Sequence, residues 1–167
     1  MQATGRQAVL ILATVLGAAI PGAAAAQAPA ACSLLAKAEV ESLVGRTLFD
    51  GGDETTLAGG GSSCTYDGGE AQIVVFGGPS ATANFDALLK SFGNDTDTKH
   101  PVPAAGAGAY VVYPTPRNKY QDRVALLVVR HGSHTLGVSV AAPDGATAES
   151  MLPAAIKLAE AVKGKLR

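Results

Sequence analysis

The sequence contains no tryptophan, and phenylalanine and tyrosine number only four each. Carbohydrate-binding and base-stacking surfaces ordinarily draw on more aromatic area, because each stacked ring needs a platform of its own. Charge is also sparse, at 16% of residues, and nearly cancels to a formal net charge of −1. No basic surplus or run of like charge is present, so the phosphate-neutralising surface of a nucleic-acid-binding protein is missing. Cysteine occurs twice, as Cys32 and Cys64, without Cys-x-x-Cys spacing. That leaves no redox motif and no cysteine-built zinc site.

Long apolar runs are lacking too, with one exception near the start. Arg6 is the only charged residue before Lys37, and Val9, Leu10, Ile11, Leu12, Val15, Leu16 and Ile20 form an apolar core behind it. This core spans roughly 13 residues, short of the ~20 that a bilayer-crossing helix requires. Pro21 and Gly22 break it, and Ala24-Ala25-Ala26 supplies the small-x-small pattern of a signal-peptidase site. Residues 1–26 are therefore expected to be a cleaved export signal, with Ala28 as an alternative cleavage point. Residues 27–31 read as a flexible lead and residues 32–167 as one domain, periplasmic or secreted, with no stable membrane span after cleavage. Cys32 lacks the leucine-like residue three places upstream that a lipidated cysteine normally has.

In an oxidising compartment the default for two cysteines is a disulfide. A Cys32–Cys64 bond would be worth on the order of 3.5–4 kcal/mol in the chain-entropy account.

The pattern of elements follows from periodicity and turn chemistry. Cys32-Ser33-Leu34-Leu35 enters a short helix with Leu35, Val40, Leu43 and Val44 on its apolar stripe and Gly45 as its left-handed stop. Residues 46–62, Gly-rich and acidic, read as a loop. Ser63–Tyr66 and Ala71–Phe76 flank Asp67-Gly68-Gly69 as a hairpin. Ser80 is expected to cap a second helix, whose residues Phe85, Leu88, Leu89 and Phe92 share one face. After a loop over 94–108, strands are expected at Ala109–Tyr113, Arg123–His131 and His134–Ala141. A final helix, capped at Ser150, carries Leu152, Ala155, Ile156, Ala159, Val162 and Leu166, with Leu158 at the stripe's edge. Pro153 is tolerated only in its first turn. The fold class is α+β: an antiparallel sheet of about five strands with helices on one face, in the order αββ-αβββ-α, with one disulfide.

Pairing sharpens this picture. With Gly132-Ser133 as a two-residue turn, Val129 opposes Leu136 and Leu127 opposes Val138, and these residues share the core face. With Gly68-Gly69 as the other turn, Cys64 opposes Ile73 and points toward the helices, where Cys32 can reach it. Val124, Leu126 and Val128 then point the other way, opposite Gly137, Ser139 and Ala141, which are too small to cover them. A bare aliphatic stripe of this kind is a contact surface unless another segment lies on it. It adjoins the Tyr113–Tyr120 connection, where Tyr113, Arg117, Lys119 and Tyr120 offer anchors of the types common at interfaces. Together these seven residues form the candidate partner-binding surface.

Catalytic signatures are absent: there is no Gly-x-Ser-x-Gly elbow, His-Glu-x-x-His, phosphate-binding loop or dinucleotide fingerprint. Gly106-Ala107-Gly108 reads as a loop. His131 and His134 would sit side by side at a hairpin tip, but two histidines make a weak metal site, and His100 has no sequence reason to join them. Phe49–Glu54 is acidic without the alternating ligand spacing of a calcium loop. Asn94-Asp95-Thr96 is a formal glycosylation sequon in a chain whose alanine-rich leader has a bacterial character. No metal, cofactor or catalytic residue is expected.

Cys32-Ser33-Leu34-Leu35 with Ala38-Glu39-Val40, then Ser63-Cys64-Thr65-Tyr66 and Val102-Pro103 to Ala109-Tyr110, resembles a group of small secreted bacterial domains of unknown function. Members of that group open Cys-x-Leu-Leu-x-x-x-Glu-Val and carry a Ser-Cys-x-Tyr strand, and many are actinobacterial lipoproteins. The resemblance covers most of the chain after the leader. It implies the disulfide and an α+β fold, and it implies no activity. The helix–hairpin layout is similar to that of proteinaceous β-lactamase inhibitors. The expectation is an exported, non-catalytic binding or interaction domain for a protein or small ligand. The alternatives are an enzyme with an unrecognised, histidine–metal site, or a protein inhibitor of an extracellular hydrolase.

Overall fold

A computed structural model of the chain describes residues 28–78, 81–91, 99–113 and 123–166. Three helices and seven strands are found among them. Helix α1 spans Lys37–Val44, α2 spans Ala81–Ser91 and α3 spans Leu152–Lys163. The strands are β1 Asp53–Leu57, β2 Gly61–Tyr66, β3 Ala71–Phe76, β4 Lys99–Pro101, β5 Tyr110–Val112, β6 Val124–His131 and β7 His134–Ala141. They form one sheet in the order β1-β2-β3-β7-β6-β5-β4, with every neighbouring pair antiparallel. Two meanders, β1–β3 and β4–β7, thus meet where β3 pairs with β7, and α2 is the connection between them.

The expected hairpins form in the expected registers. His131 faces His134, Val129 faces Leu136 and Leu127 faces Val138. Cys64 faces Ile73, although the turn is a four-residue connection in which Asp67, Gly68 and Gly69 all have positive φ. Cys32 and Cys64 are bonded, with their Cα atoms 4.9 Å apart. The sulfur of Cys32 is therefore committed to Cys64.

The strand count rises from about five to seven for local reasons. Within the expected loop 46–62, Asp53–Leu57 pairs with β2, and β2 itself begins at Gly61. Within the expected loop 94–108, Lys99–Pro101 pairs with β5. Both additions are edge strands, and an edge strand needs no apolar alternation because one flank faces solvent.

Helix α1 ends as read: Gly45 is left-handed at φ 75°, and its N–H and that of Arg46 donate to the Glu41 carbonyl. Helix α3 begins later than expected. Ser150 lies in a 3₁₀ turn, Ala148–Met151, and its hydroxyl donates back to the Thr147 carbonyl, so it caps nothing. Pro153 falls in the first helical turn, and Leu158, placed at the stripe's edge, lies at its fully buried centre with Ala155, Ala159 and Val162. The Ser80 cap and Phe92 lie outside the described residues.

The helices occupy both faces of the sheet, not one. Helices α1 and α3 pack against each other, and α3 lies on β6 and β7. Their core takes Tyr66, Ile73, Val75, Leu127, Leu136 and Val138. Helix α2 lies on the opposite face across β6 and β7, and it buries Val74, Phe76, Val112, Leu126 and Val128 under Phe85, Leu88 and Leu89. The small residues opposite the aliphatic stripe seat this helix: a Cβ on Gly137 would meet Leu88 Cδ1 at 3.4 Å. No helix of the described residues is long and apolar enough to cross a membrane.

Candidate functional site

The candidate partner surface separates into three parts. Leu126 and Val128 are 1% and 0% exposed beneath α2, and Val124 is half-buried. Leu126 and Val128 are core, which corrects the reading of the stripe as bare contact surface at those two positions; Val124 stays partly exposed at its end. Tyr113 is half-buried, its ring 5.8 Å from that of His100. Burial raises its phenol above the usual tyrosine range, and Glu149 adds to the shift. Arg117, Lys119 and Tyr120 lie outside the described residues.

His131 and His134 are cross-strand partners as read, with His134 buried and His131 half-buried. Register sets His100 beside Val111 and so level with Leu127, four residues short of His131. Among the described residues, the single group of three metal-ligating side chains is Cys32, Glu54 and Cys64. Its two sulfurs are joined to each other, so the group offers no thiolate.

Glu54 has a structural use instead. Its carboxylate accepts the backbone N–H of Ala31 at 2.9 Å and that of Cys32 at 2.6 Å, and it also accepts the Ser62 hydroxyl. It thereby clamps the turn that carries Cys32 onto β1. Behind the disulfide, burial pushes the Tyr66 phenol up, and the Glu54 carboxylate pushes it further.

Among the described residues, α2 is the one helix on its face of the sheet. Seven strands spaced about 4.8 Å apart make a sheet on the order of 30 Å wide, whereas one helix with its side chains is about 10 Å across. A lone central helix therefore leaves a groove along each flank. On the β1–β3 side lies a groove of about 360 Å³ with walls from Leu57, Val74, Phe76 and Leu88. At its floor Gln72 donates to the hydroxyls of Ser63 and Thr65. Asn84 also lines it, its Nδ2 buried with no hydrogen-bond partner among the described residues.

On the opposite flank lies a groove of about 400 Å³ lined by Phe85, Asp86, Leu89, Lys99, Tyr110 and Arg130. The Arg130 guanidinium stands over the Phe85 ring, 4.3 Å from its centroid. Phe85 meets Tyr110 edge to face at 6.2 Å. None of these was singled out from sequence as a site residue. Strand alternation alone sets Arg130 on the face of Leu126 and Val128, and the apolar stripe of α2 includes Phe85; the missing step was laying that helix on that face.

Compared with known proteins, the chain matches no family model, no curated protein and no solved structure.

Proposed function

We propose that this chain is an exported, non-catalytic binding domain of the periplasm or extracellular space, and that its ligand site is the α2 face of the sheet. The observation that carries this reading is that, among the described residues, one helix lies on this face of the seven-stranded sheet, flanked by two grooves of about 360 and 400 Å³. Both volumes fall in the range of small-ligand sites, and each groove combines apolar walls with a few convergent polar groups. The apolar leader behind Arg6 and the Cys32–Cys64 bond support the extracytoplasmic setting.

Fragment screening of the isotopically labelled, exported protein by amide chemical shift tests the site. Saturable shifts grouped on α2, β1–β3 or β4–β6 support the reading. Shifts grouped around His131 and His134, or on α1 and α3, contradict it. N-terminal sequencing of the protein recovered from the medium or periplasm should begin at Gln27; material beginning at Met1 contradicts export by cleavage.

A further inference from the structure

We propose that the groove between α2 and the β4–β5–β6 end of the sheet binds a small amphipathic anion, an aromatic or other apolar body carrying a carboxylate. This rests on the reading that the α2 face is a binding surface and narrows it to one ligand class.

Arg130 carries the inference. The two other arginines among the described residues are engaged by acids, Arg46 by Glu70 at 2.7 Å and Arg123 by Asp144 at 2.7 Å. Arg130 has no ion pair or hydrogen bond among the described residues, and its side chain is exposed at the groove. It is held in place nonetheless, because its guanidinium carbon stands over the Phe85 ring. That contact consumes no N–H donor, so the N–H edge of the guanidinium stays available. That edge offers parallel donors in the spacing of a carboxylate's two oxygens.

The surroundings fit the rest of such a ligand. Register puts Lys99 opposite Val112 and Tyr110 opposite Val128, so both stand on the α2 face with Arg130. Among the described residues of the lining, Lys99 and Arg130 outnumber the one acid, Asp86, a local surplus of positive charge on a chain whose formal net charge is −1. Phe85 and Leu89 supply apolar wall. An inorganic anion would use the charge and waste the wall, and a neutral ring would do the reverse.

The test is an amide-shift titration of the labelled, exported protein with benzoate, phenylacetate and 2-naphthoate, beside benzamide and inorganic phosphate. The carboxylates should give saturable shifts at Phe85, Lys99, Tyr110 and Arg130. Benzamide and phosphate should bind at least about tenfold more weakly, the scale of one lost charge-assisted contact. Arg130→Gln should weaken the carboxylates by about tenfold or more. Asp86→Asn should tighten them by a fewfold, and this variant keeps the test open if Arg130→Gln lowers the melting temperature. Carboxylates that give no saturable shifts, that bind no better than benzamide or phosphate, or that ignore both substitutions overturn the assignment. If other fragments still shift the Leu57–Leu88 groove, the assignment fails and the α2 face stands as a binding surface. If no fragment class shifts that face, both fail.

Discussion

The backbone of Gly52 lies against Cys64: a Cβ at position 52 would stand 2.1 Å from the Cys64 sulfur and 2.9 Å from that of Cys32. Glycine is required there by space, not by backbone angle. Gly52→Ala must displace the disulfide or the chain leading into β1, and overpacking of this kind costs about 1–3 kcal/mol. Denaturant unfolding of the oxidised protein should show that loss. Gly51→Ala, with nothing within 4 Å of the new carbon, should stay within about 0.5 kcal/mol of the parent.

The bond itself is worth more. Cys32→Ser with Cys64→Ser should lower stability by about 2–5 kcal/mol, as removal of a native disulfide from a small exported domain does. Alkylation of native material should label neither cysteine until a reductant is added.

Glu54 secures the same region without a covalent link. Glu54→Ala removes the acceptor for the Cys32 N–H and one of the two acceptors of the Ala31 N–H, which keeps the Ser62 hydroxyl, and should cost about 1–3 kcal/mol. Hydrogen exchange should accelerate at residues 31–33 before the rest of the sheet responds. Unchanged exchange there would mean the carboxylate holds nothing.

Leu126 is now a core residue, and the expected effect of changing it follows from that. Leu126→Ala should cost about 2–5 kcal/mol, and Leu126→Asp, which buries a carboxylate beneath α2, should prevent folding. Circular dichroism of the aspartate variant decides between core and surface, since a surface position would leave the spectrum native.

Alkaline stability should depend on Tyr66. Its phenol is raised by burial and by Glu54, so the folded protein keeps a proton that the unfolded chain releases near pH 10. The native state then binds more protons than the unfolded one, and stability falls as pH rises. The contribution is intact below the unfolded value and is lost between that value and the raised folded one. Tyr113 shifts the same way through burial and Glu149. Melting temperatures of Tyr66→Phe and the parent should converge as pH climbs from 9 to 11; a constant gap would contradict the coupling.

What the sequence disclosed depended on whether a segment carried its own signal. Strands β6 and β7 were legible because Gly132-Ser133 fixes the turn and the turn fixes every pair behind it. The phase of Cys64 followed in the same way from the glycines after Asp67. Strand β1, Asp-Glu-Thr-Thr-Leu, is exposed along nearly its whole length, and β4 is only three residues ending in proline, so neither carries a periodic apolar pattern. The placement of α2 had a signal that was misread. Val124–Val129 is apolar without alternation, which is how a strand buried on both faces reads. Taking one of those faces as bare left α2 on the wrong side of the sheet and hid the meeting of Arg130 with Phe85. Gly137 and Ser139 looked like gaps because smallness marks the seat of a helix as well as an uncovered surface.

The two ends of the sheet bear on how this protein behaves when it is crowded. An open sheet offers unpaired N–H and C=O groups along each outer strand, and like chains can add to them without limit. At one end, β1 is exposed along nearly its whole length and begins with Asp53, so a parallel, in-register copy laid against it would oppose carboxylate to carboxylate. At the other, β4 is three residues long and finishes at Pro101, which has no N–H to donate, with Pro103 just beyond it. Growth by strand addition is discouraged by charge at one edge and by missing donors at the other, so concentrated solutions should resist conversion to fibrils.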